Sequence, residues 1–168
     1  LLGGMSLKNK MWTEQVRDEL KDDFETEILY YDHWESGVEN MNFEVEGQKL
    51  AKMCQGEYVI FAKSAGSWLT LILAAEGKIK PAKTVLVGPA WNWARNNGLD
   101  PEKLAAKVDV PVLVIDKTSD PAISFAQLKS EVEKLDKPNF RLIEVPGDNH
   151  SYEDVSGLGK MVREFLAK

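Results

Sequence analysis

The stretch FAKSAGS, residues 61–67, lies where a run of β-forming residues ends and a run of helix-forming residues begins. Upstream, EYVIFA at 57–62 predicts a buried strand, and the segment over about 66–76 is apolar on nearly all sides. Such a helix is expected to lie buried against a sheet, with Gly77 closing it as a left-handed cap. Ser64 is therefore predicted to occupy a turn between a strand and a buried helix. That position suits a catalytic nucleophile or a helix N-cap.

The rest of the chain alternates short β-rich runs with helical patterns, which predicts an α/β fold with a mostly parallel central sheet flanked by helices. The predicted strands are 27–31, 57–62, 83–88, 111–116 and 140–145. Apolar stripes predict helices around Trp12, Val16 and Leu20; Phe125, Leu128, Val132 and Leu135; and Leu158, Met161, Val162 and Phe165. In DPEKLAAK, 100–107, an Asp N-cap precedes Pro at the first helical position.

Length and composition bound the class of protein. With 168 residues, 43% of them hydrophobic, the chain is expected to form one domain over 1–168. LLGG at the start leaves only Leu1 and Leu2 for a preceding strand, so we expect sequence upstream. A net charge of -6 and the lack of a basic stripe disfavour nucleic acid and membrane surfaces as partners. The longest apolar run, 68–75, is too short to span a bilayer, and no signal peptide is visible.

The small number of cysteines and histidines limits the chemistry further. One cysteine, Cys54, cannot form an internal disulfide, and two histidines do not make a Cys/His zinc site. We therefore expect a cytoplasmic protein without a metal or cofactor. Cys54 itself is expected to be a small buried apolar group.

A catalytic serine requires a base, and an imidazole oriented by a carboxylate can serve near neutral pH. The chain offers His33 and His150. His150 lies in PGDNHSY, just after the last predicted strand, and Asp120 lies in KTSDP, just after the strand VPVLVID. The carboxyl ends of parallel strands meet at one edge, so Ser64, Asp120 and His150 are expected to converge there. Asp116, at the end of the same strand, is the competing acid.

The segments AKSAGS, VPVLVIDKTSDP and VPGDNHSYED together resemble those of small α/β-hydrolase-fold serine hydrolases, with the order nucleophile, acid, histidine. The start, LLGGMSLKNKMW, is similar to that family's oxyanion loop, usually His-Gly followed by a variable residue and a downstream Trp. Gly3 stands where the family often has His, and Ala62 replaces the first elbow glycine. The resemblance implies an oxyanion hole formed by the N–H of Ala65 and that of Met5 or Gly4.

Where the family often inserts a helical lid, this chain has only residues 89–109, which offer room for one short helix. The prediction is a minimal, lidless esterase-like enzyme with an open site and a small-molecule ester substrate. Trp91 and Trp93 are candidates to wall an acyl or alcohol pocket, Trp12 is a candidate to lie under the oxyanion loop, and His33 is a candidate substrate contact.

Two other functions compete with the hydrolase. One is a binding protein that keeps the hydrolase scaffold for a ligand or partner without turnover. The other is a flavodoxin-like nucleotide domain, which fits the alternation of elements, although no phosphate-binding glycine loop is visible and LLGG lacks the spacing of a dinucleotide fingerprint.

Overall fold

A computed structural model describes residues 1–37 and 40–167. The strands are β1 (Val59–Lys63), β2 (Lys83–Val87), β3 (Val112–Lys117) and β4 (Phe140–Val145). The helices are α1 (Lys8–Leu20), α2 (His33–Ser36), α3 (Phe43–Met53), α4 (Ala65–Ala75), α5 (Trp91–Asn96), α6 (Pro101–Ala106), α7 (Phe125–Glu133) and α8 (Val155–Leu166).

The sheet is parallel throughout, in the order β1-β2-β3-β4, which confirms the predicted α/β class. Successive side chains of a strand point to opposite faces, so each strand contributes to two cores. In β1, Ile60 and Ala62 belong to the core covered by α3, α4 and α7, whereas Phe61 belongs to the core covered by α1 and α8. Both faces are covered by helices, which explains why the strands are nearly continuous hydrophobic runs.

The local signals around α4 behave as predicted. Most of its residues are buried, and Gly77 follows it with a φ of 71°. Asp100 caps α6 by accepting a hydrogen bond from the Lys103 N–H, with Pro101 at the start of the helix. In the described parts of the chain, residues 1–37 and 40–167, every helix is too short or too polar to cross a bilayer.

The predicted strand at 27–31 is wrong, because this segment forms no ladder. It is extended and bonds to the start of the chain: the Leu29 N–H donates to Leu1 O at 3.0 Å, and the Leu1 amine donates to Glu27 O at 2.6 Å. Leu2 in turn forms an isolated parallel bridge with Ala62 of β1. Leu1 is the residue that bonds to this segment, and the two bonds that it makes do not form a ladder.

The connection between β2 and β3 also differs from its prediction. It holds two short helices, α5 and α6, rather than one. The Gly98 turn, with a φ of 79°, separates them and permits a second helix to begin at the Asp100 cap. Both helices pack into the core that contains α4, since Ala94 and Ala105 belong to it and have no exposed surface.

Candidate active site

Ser64 occupies a strained turn between β1 and α4. Its backbone has φ 51° and ψ −116°, a conformation that costs a non-glycine residue about 1–3 kcal/mol. The Ser64 N–H donates to Val87 O of β2 at 3.0 Å, which ties the turn to the neighbouring strand. The hydroxyl makes no capping bond to α4. The N-cap interpretation of Ser64 therefore finds no support in the geometry.

Small residues allow other segments to approach this turn closely. A Cβ on Gly66 would lie 2.6 Å from Gly3 O and 2.8 Å from Leu2 Cβ. The loop that follows Leu2 thus packs directly against the first turn of α4, beside Ser64. Any side chain at residue 66 would push this loop away.

The three residues that the sequence singled out come together. Ser64 Oγ lies 2.9 Å from His150 Nε2, and His150 Nδ1 lies 2.7 Å from Asp120 Oδ2 and 3.0 Å from Asp120 Oδ1. The Asp120 side chain is 0% exposed and that of His150 is 28% exposed. Solvent therefore reaches the imidazole but not the carboxylate behind it.

Asp120 accepts further hydrogen bonds, from the Ala122 N–H at 2.8 Å and from the hydroxyl of Tyr152 at 2.8 Å. Burial opposes ionisation of this carboxyl, but the hydrogen bonds from His150, Ala122 and Tyr152 together hold its pKa below the ordinary value. An ionised Asp120 fixes the proton of His150 on Nδ1. Nε2 is then free to accept the Ser64 proton.

Asp116, the competing acid, forms no hydrogen bond with His150, which bonds to Asp120 and Ser64 instead. It is fully buried, and its Oδ1 lies 2.8 Å from the hydroxyl of Tyr152. Its Oδ2 is buried without a hydrogen-bond partner among the described residues. Burial raises the pKa of Asp116 to about 7, so the two carboxyls at the end of β3 differ sharply in their acidity.

Tyr152, Lys63 and Lys117 were not identified from the sequence as site residues. The Tyr152 ring lies 6.0 Å from that of His150, and the ammonium groups of Lys63 and Lys117 lie 5.9 and 5.1 Å from its centre. Burial lowers the pKa of the Lys63 ammonium to about 8, while its Nζ donates to Asn9 Oδ1 at 2.8 Å. A signal for this cluster existed: two lysines and an aspartate end otherwise apolar strands, which is unusual for buried positions.

Gly88, at the end of β2, is a second position where only glycine fits. Its φ is 50°, and a Cβ there would lie 2.6 Å from Tyr152 Cε2 and 3.0 Å from His150 Cε1. The absence of a side chain lets the His150 loop close over β2 beside Ser64.

Segment 31–34 anchors the loop that carries the candidate oxyanion donors. The hydroxyl of Tyr31 donates to Gly3 O at 3.0 Å, and His33 Nε2 and Trp34 Nε1 lie 2.6 and 3.2 Å from Met5 O. The N–H groups of Ala65 and Met5 form no backbone hydrogen bond with another described residue. A Cβ on Gly4 would lie 2.8 Å from Asn9 Nδ2, so the loop is also close to α1.

The remaining candidates lie in various surroundings. His33 is nearly buried, stacks on Tyr31 at 5.4 Å and has Nε2 2.6 Å from Met5 O, and its role as a substrate contact stays a prediction. Trp91 has no exposed surface and packs against Trp68 at 5.2 Å, so it belongs to the core and does not wall an open pocket. Trp91 is the first residue of α5, directly after the N-cap Ala90, whose φ is 41°.

Trp93 and Trp12 lie in different surroundings. Trp93 is half-buried and stacks on Phe43 of α3 at 6.0 Å. The Trp12 indole N–H donates to Tyr152 O at 2.8 Å, and Lys63 Nζ lies 5.3 Å from its ring. Trp12 therefore supports the segment after His150.

A groove of about 950 Å³ lies away from this cluster. It is lined by the chain start, the end of α1, the segment before β1 and part of α8, and it includes Cys54. None of Ser64, Asp120 and His150 borders it. Its size alone therefore does not connect it with the serine.

No protein-family model matches the chain, and no curated protein matches it in sequence. Solved structures do resemble it. Alpha/beta hydrolase domain-containing protein 10 from mouse superposes with a TM-score of 0.74 and 12% identity, over 99% of this chain and 88% of the other. A cold-adapted esterase from an Arctic intertidal metagenomic library superposes with a TM-score of 0.63 and 19% identity, over 98% of this chain and 80% of the other.

A third structure, Est1E from Butyrivibrio proteoclasticus with ferulic acid bound, gives a TM-score of 0.65 and 14% identity, over 100% of this chain and 88% of the other. These likenesses span nearly the whole chain and share its parallel sheet flanked by helices. The chain is therefore an α/β-hydrolase-fold protein.

Proposed function

We propose that this chain is a serine hydrolase that cleaves small carboxylic esters through an acyl-Ser64 intermediate. The observation that carries the proposal is the unbroken hydrogen-bonded series from Ser64 Oγ to His150 and on to Asp120, with steps of 2.9 and 2.7 Å. The series starts at a serine whose backbone is strained and whose hydroxyl does not cap its helix. Strain that local structure does not require is typical of functional positions.

In the proposed mechanism, His150 Nε2 removes the Ser64 proton as Oγ attacks the ester carbonyl carbon. Asp120 holds the imidazole in the required tautomer and stabilises the imidazolium. The imidazolium then protonates the leaving alcohol as the carbon–oxygen bond breaks, and acyl-Ser64 remains. A water molecule, deprotonated by His150, attacks the acyl carbon. The bond from that carbon to Ser64 Oγ then breaks, the imidazolium returns the proton to Oγ, and the acid is released. These steps use no cofactor.

The tetrahedral intermediates carry an oxyanion, for which the Ala65 N–H at the start of α4 is the first candidate donor. Met5 or Gly4 would supply the second from the loop that packs on Gly66. Losing one donor of this kind typically costs about 3 kcal/mol of transition-state stabilisation. The positive end of the α4 dipole would add to the same stabilisation.

The ester substrate is favoured by what the similar structures are: one is described as an esterase, and another holds ferulic acid, a carboxylic acid. Thioesters and amides would react by the same chemistry. We therefore test three substrates with one acyl group: p-nitrophenyl acetate, p-nitrothiophenyl acetate and p-nitroacetanilide. The butyrate and octanoate esters of p-nitrophenol then measure how long an acyl chain the site accepts.

We expect the wild type to hydrolyse p-nitrophenyl acetate well above the spontaneous rate, and faster than the anilide. A folded wild type that accelerates none of these reactions contradicts the proposal. That result favours a scaffold that binds a ligand or partner without turnover.

Gly88→Ala should lower kcat/KM for p-nitrophenyl acetate by about 100-fold, because displacing a catalytic group by 1 Å can cost that much. The new Cβ would meet Tyr152 and His150, the latter at 3.0 Å. Gly77→Ala is the matched control: its φ of 71° is equally left-handed, but nothing lies within 4 Å of its Cβ. Gly77→Ala should lose about 1–2 kcal/mol of unfolding free energy in thermal denaturation. Gly88→Ala should lose more, because its Cβ would also lie 2.6 Å from Tyr152 Cε2. If Gly88→Ala retains wild-type kcat/KM, its close contact with the His150 loop does not matter for catalysis.

A further inference from the structure

The hydroxyl of Tyr152 contacts three polar groups at once. Its oxygen lies 2.8 Å from Asp116 Oδ1, 2.8 Å from Asp120 Oδ2 and 3.1 Å from the Lys117 N–H. A tyrosine hydroxyl has one proton to donate and two lone pairs that accept. The Lys117 N–H occupies one lone pair, which leaves one donor and one acceptor position for two carboxyl groups.

Two ionised carboxylates do not fit this arrangement. Both are acceptors, so the single Tyr152 proton could serve one of them, and the other would face the phenol oxygen at 2.8 Å without a hydrogen between them. One additional proton satisfies every group. A protonated carboxyl donates to Tyr152, and Tyr152 donates to the ionised one.

The surroundings indicate which carboxyl carries that proton. Asp120 already accepts from His150 Nδ1 and from the Ala122 N–H, as an anion prefers. The Lys117 N–H, which donates to Tyr152, also lowers the pKa of Asp116, but by less than burial raises it, and Asp116 Oδ2 is buried and unpaired among the described residues. An unpaired oxygen in a buried site costs far less on a neutral acid than on a carboxylate.

We infer that Tyr152 is a positioning residue that holds Asp120 toward His150, and that it does so because Asp116 is a neutral acid that donates its proton to the Tyr152 oxygen. The catalytic part of this inference rests on the proposed function, whereas the protonation of Asp116 does not. Burial, with the nearby Asp120 charge, raises the pKa of Asp116 to about 7 despite the contact with Tyr152. A neutral carboxyl at pH 6 is consistent with that value.

The charged groups around the pair belong to several elements. Lys63 of β1 and Lys117 of β3 lie over the Tyr152 ring, His150 lies edge-on to it, and Glu153 pairs with Lys117 at 3.1 Å. Burial, with the anionic neighbours, raises the pKa of Tyr152 far above its ordinary value, so the phenol keeps its proton. The hydrogen-bonded order Asp116, Tyr152, Asp120 is therefore fixed until Asp116 itself ionises.

The first test measures the protonation of Asp116 and Asp120 directly and does not depend on catalytic activity. Wild-type protein labelled with ¹³C at the aspartate carboxyl carbons is titrated by NMR, and the Asp116 and Asp120 signals are assigned by their loss in Asp116→Asn and Asp120→Asn. We expect a neutral Asp116 and an ionised Asp120 at pH 5.5, with Asp116 ionising near pH 7. An ionised Asp116 at pH 5.5 overturns the inference, even if no ester proves to be a substrate.

The second test separates positioning from simple packing. Tyr152→Phe keeps the buried ring and removes the hydroxyl, so kcat should fall 10- to 100-fold while KM changes less than threefold. Tyr30→Phe, which removes an exposed hydroxyl bonded to Glu14, is the control. If wild type is active and Tyr152→Phe retains its kcat, Tyr152 does not position Asp120.

Asp116→Asn completes the kinetic test, because an amide donates to Tyr152 as a neutral acid does but does not ionise. We expect the ratio of wild-type kcat to Asp116→Asn kcat to fall at least threefold between pH 6 and 8.5, as wild-type Asp116 ionises and competes for the Tyr152 proton. A ratio independent of pH contradicts the role of the neutral acid.

The pH dependence of the unfolding free energy gives a further test, because the inference fixes the direction of the change. The folded pKa of Asp116 lies above the unfolded value of about 3.9, so the folded state binds more protons between these values. The contribution of Asp116 to the unfolding free energy should therefore fall as pH rises from about 4 to 7. Asp116→Asn should remove this fall, and urea denaturation at pH 5 and 8 measures the difference. An equal pH response in both proteins contradicts the inference.

Discussion

Ser64→Ala is expected to abolish ester hydrolysis while leaving the protein folded. In the proposed mechanism no other group can form the acyl intermediate, and loss of a catalytic serine typically lowers kcat by about 10⁴-fold or more. The unfolding free energy should change by only about 1 kcal/mol, because the variant loses one hydrogen bond, that to His150. Steady-state rates on p-nitrophenyl acetate and urea denaturation measure the two effects.

Ser151→Ala is the matched control, since this exposed serine follows His150 directly and lies outside the hydrogen-bonded series. Its rate should equal that of the wild type. A folded Ser64→Ala protein that keeps more than a tenth of the wild-type kcat would show that the hydrolysis occurs elsewhere.

Asp120→Asn should lower kcat by about 10³- to 10⁴-fold, with little change in KM. Asp120 accepts hydrogen bonds from His150 Nδ1, the Ala122 N–H and the Tyr152 hydroxyl. An asparagine has one acceptor oxygen and one amino group, so it cannot accept all three bonds and stabilises the wrong tautomer of His150. The fall in kcat measures how much the orientation and charge of the imidazole contribute.

The control for this change is Asp148→Asn, which removes a charge from an exposed position two residues before His150. It should leave kcat unaltered. If the two variants have the same kcat, Asp120 contributes no more than a distant charge, and its contact with His150 is not catalytic.

Sequence reasoning could predict the positions at strand ends. Strand runs are long and apolar here because both faces of the sheet are covered, and a parallel sheet gathers the residues that follow its strands at one edge. Ser64, Asp120 and His150 were located in this way, and the structure brings them into hydrogen-bond contact.

The same reasoning could not choose between two acids four residues apart, because Asp116 lies at the end of a strand and Asp120 lies just beyond it. The Asp120 carboxylate contacts His150 Nδ1, whereas the Asp116 carboxyl contacts the hydroxyl of Tyr152 and forms no hydrogen bond with His150. Tyr152 itself has a φ of 56°, and no periodicity marks a buried tyrosine in a turn. Its location depends on contacts from segments far apart in the chain.

Tryptophans illustrate another limit. Trp91 and Trp93 both follow β2 and looked equivalent in sequence, but Trp91 is fully buried and Trp93 is half-exposed against Phe43. A helix has about 3.6 residues per turn, so the side chains of two residues that are two positions apart point in directions that differ by about 200°. One residue of such a pair therefore lies in the core when the other does not.

The central claim is that His150 activates Ser64 as a nucleophile, and a fluorophosphonate probe tests it most directly. The folded wild type is incubated with the probe, and intact-mass analysis and peptide mapping locate the adduct, with Ser64→Ala and His150→Ala in parallel. We expect one probe per chain, attached to Ser64, no labelling of Ser64→Ala and strongly slowed labelling of His150→Ala. A folded wild type that stays unlabelled, or that carries the probe on another residue, would contradict the claim.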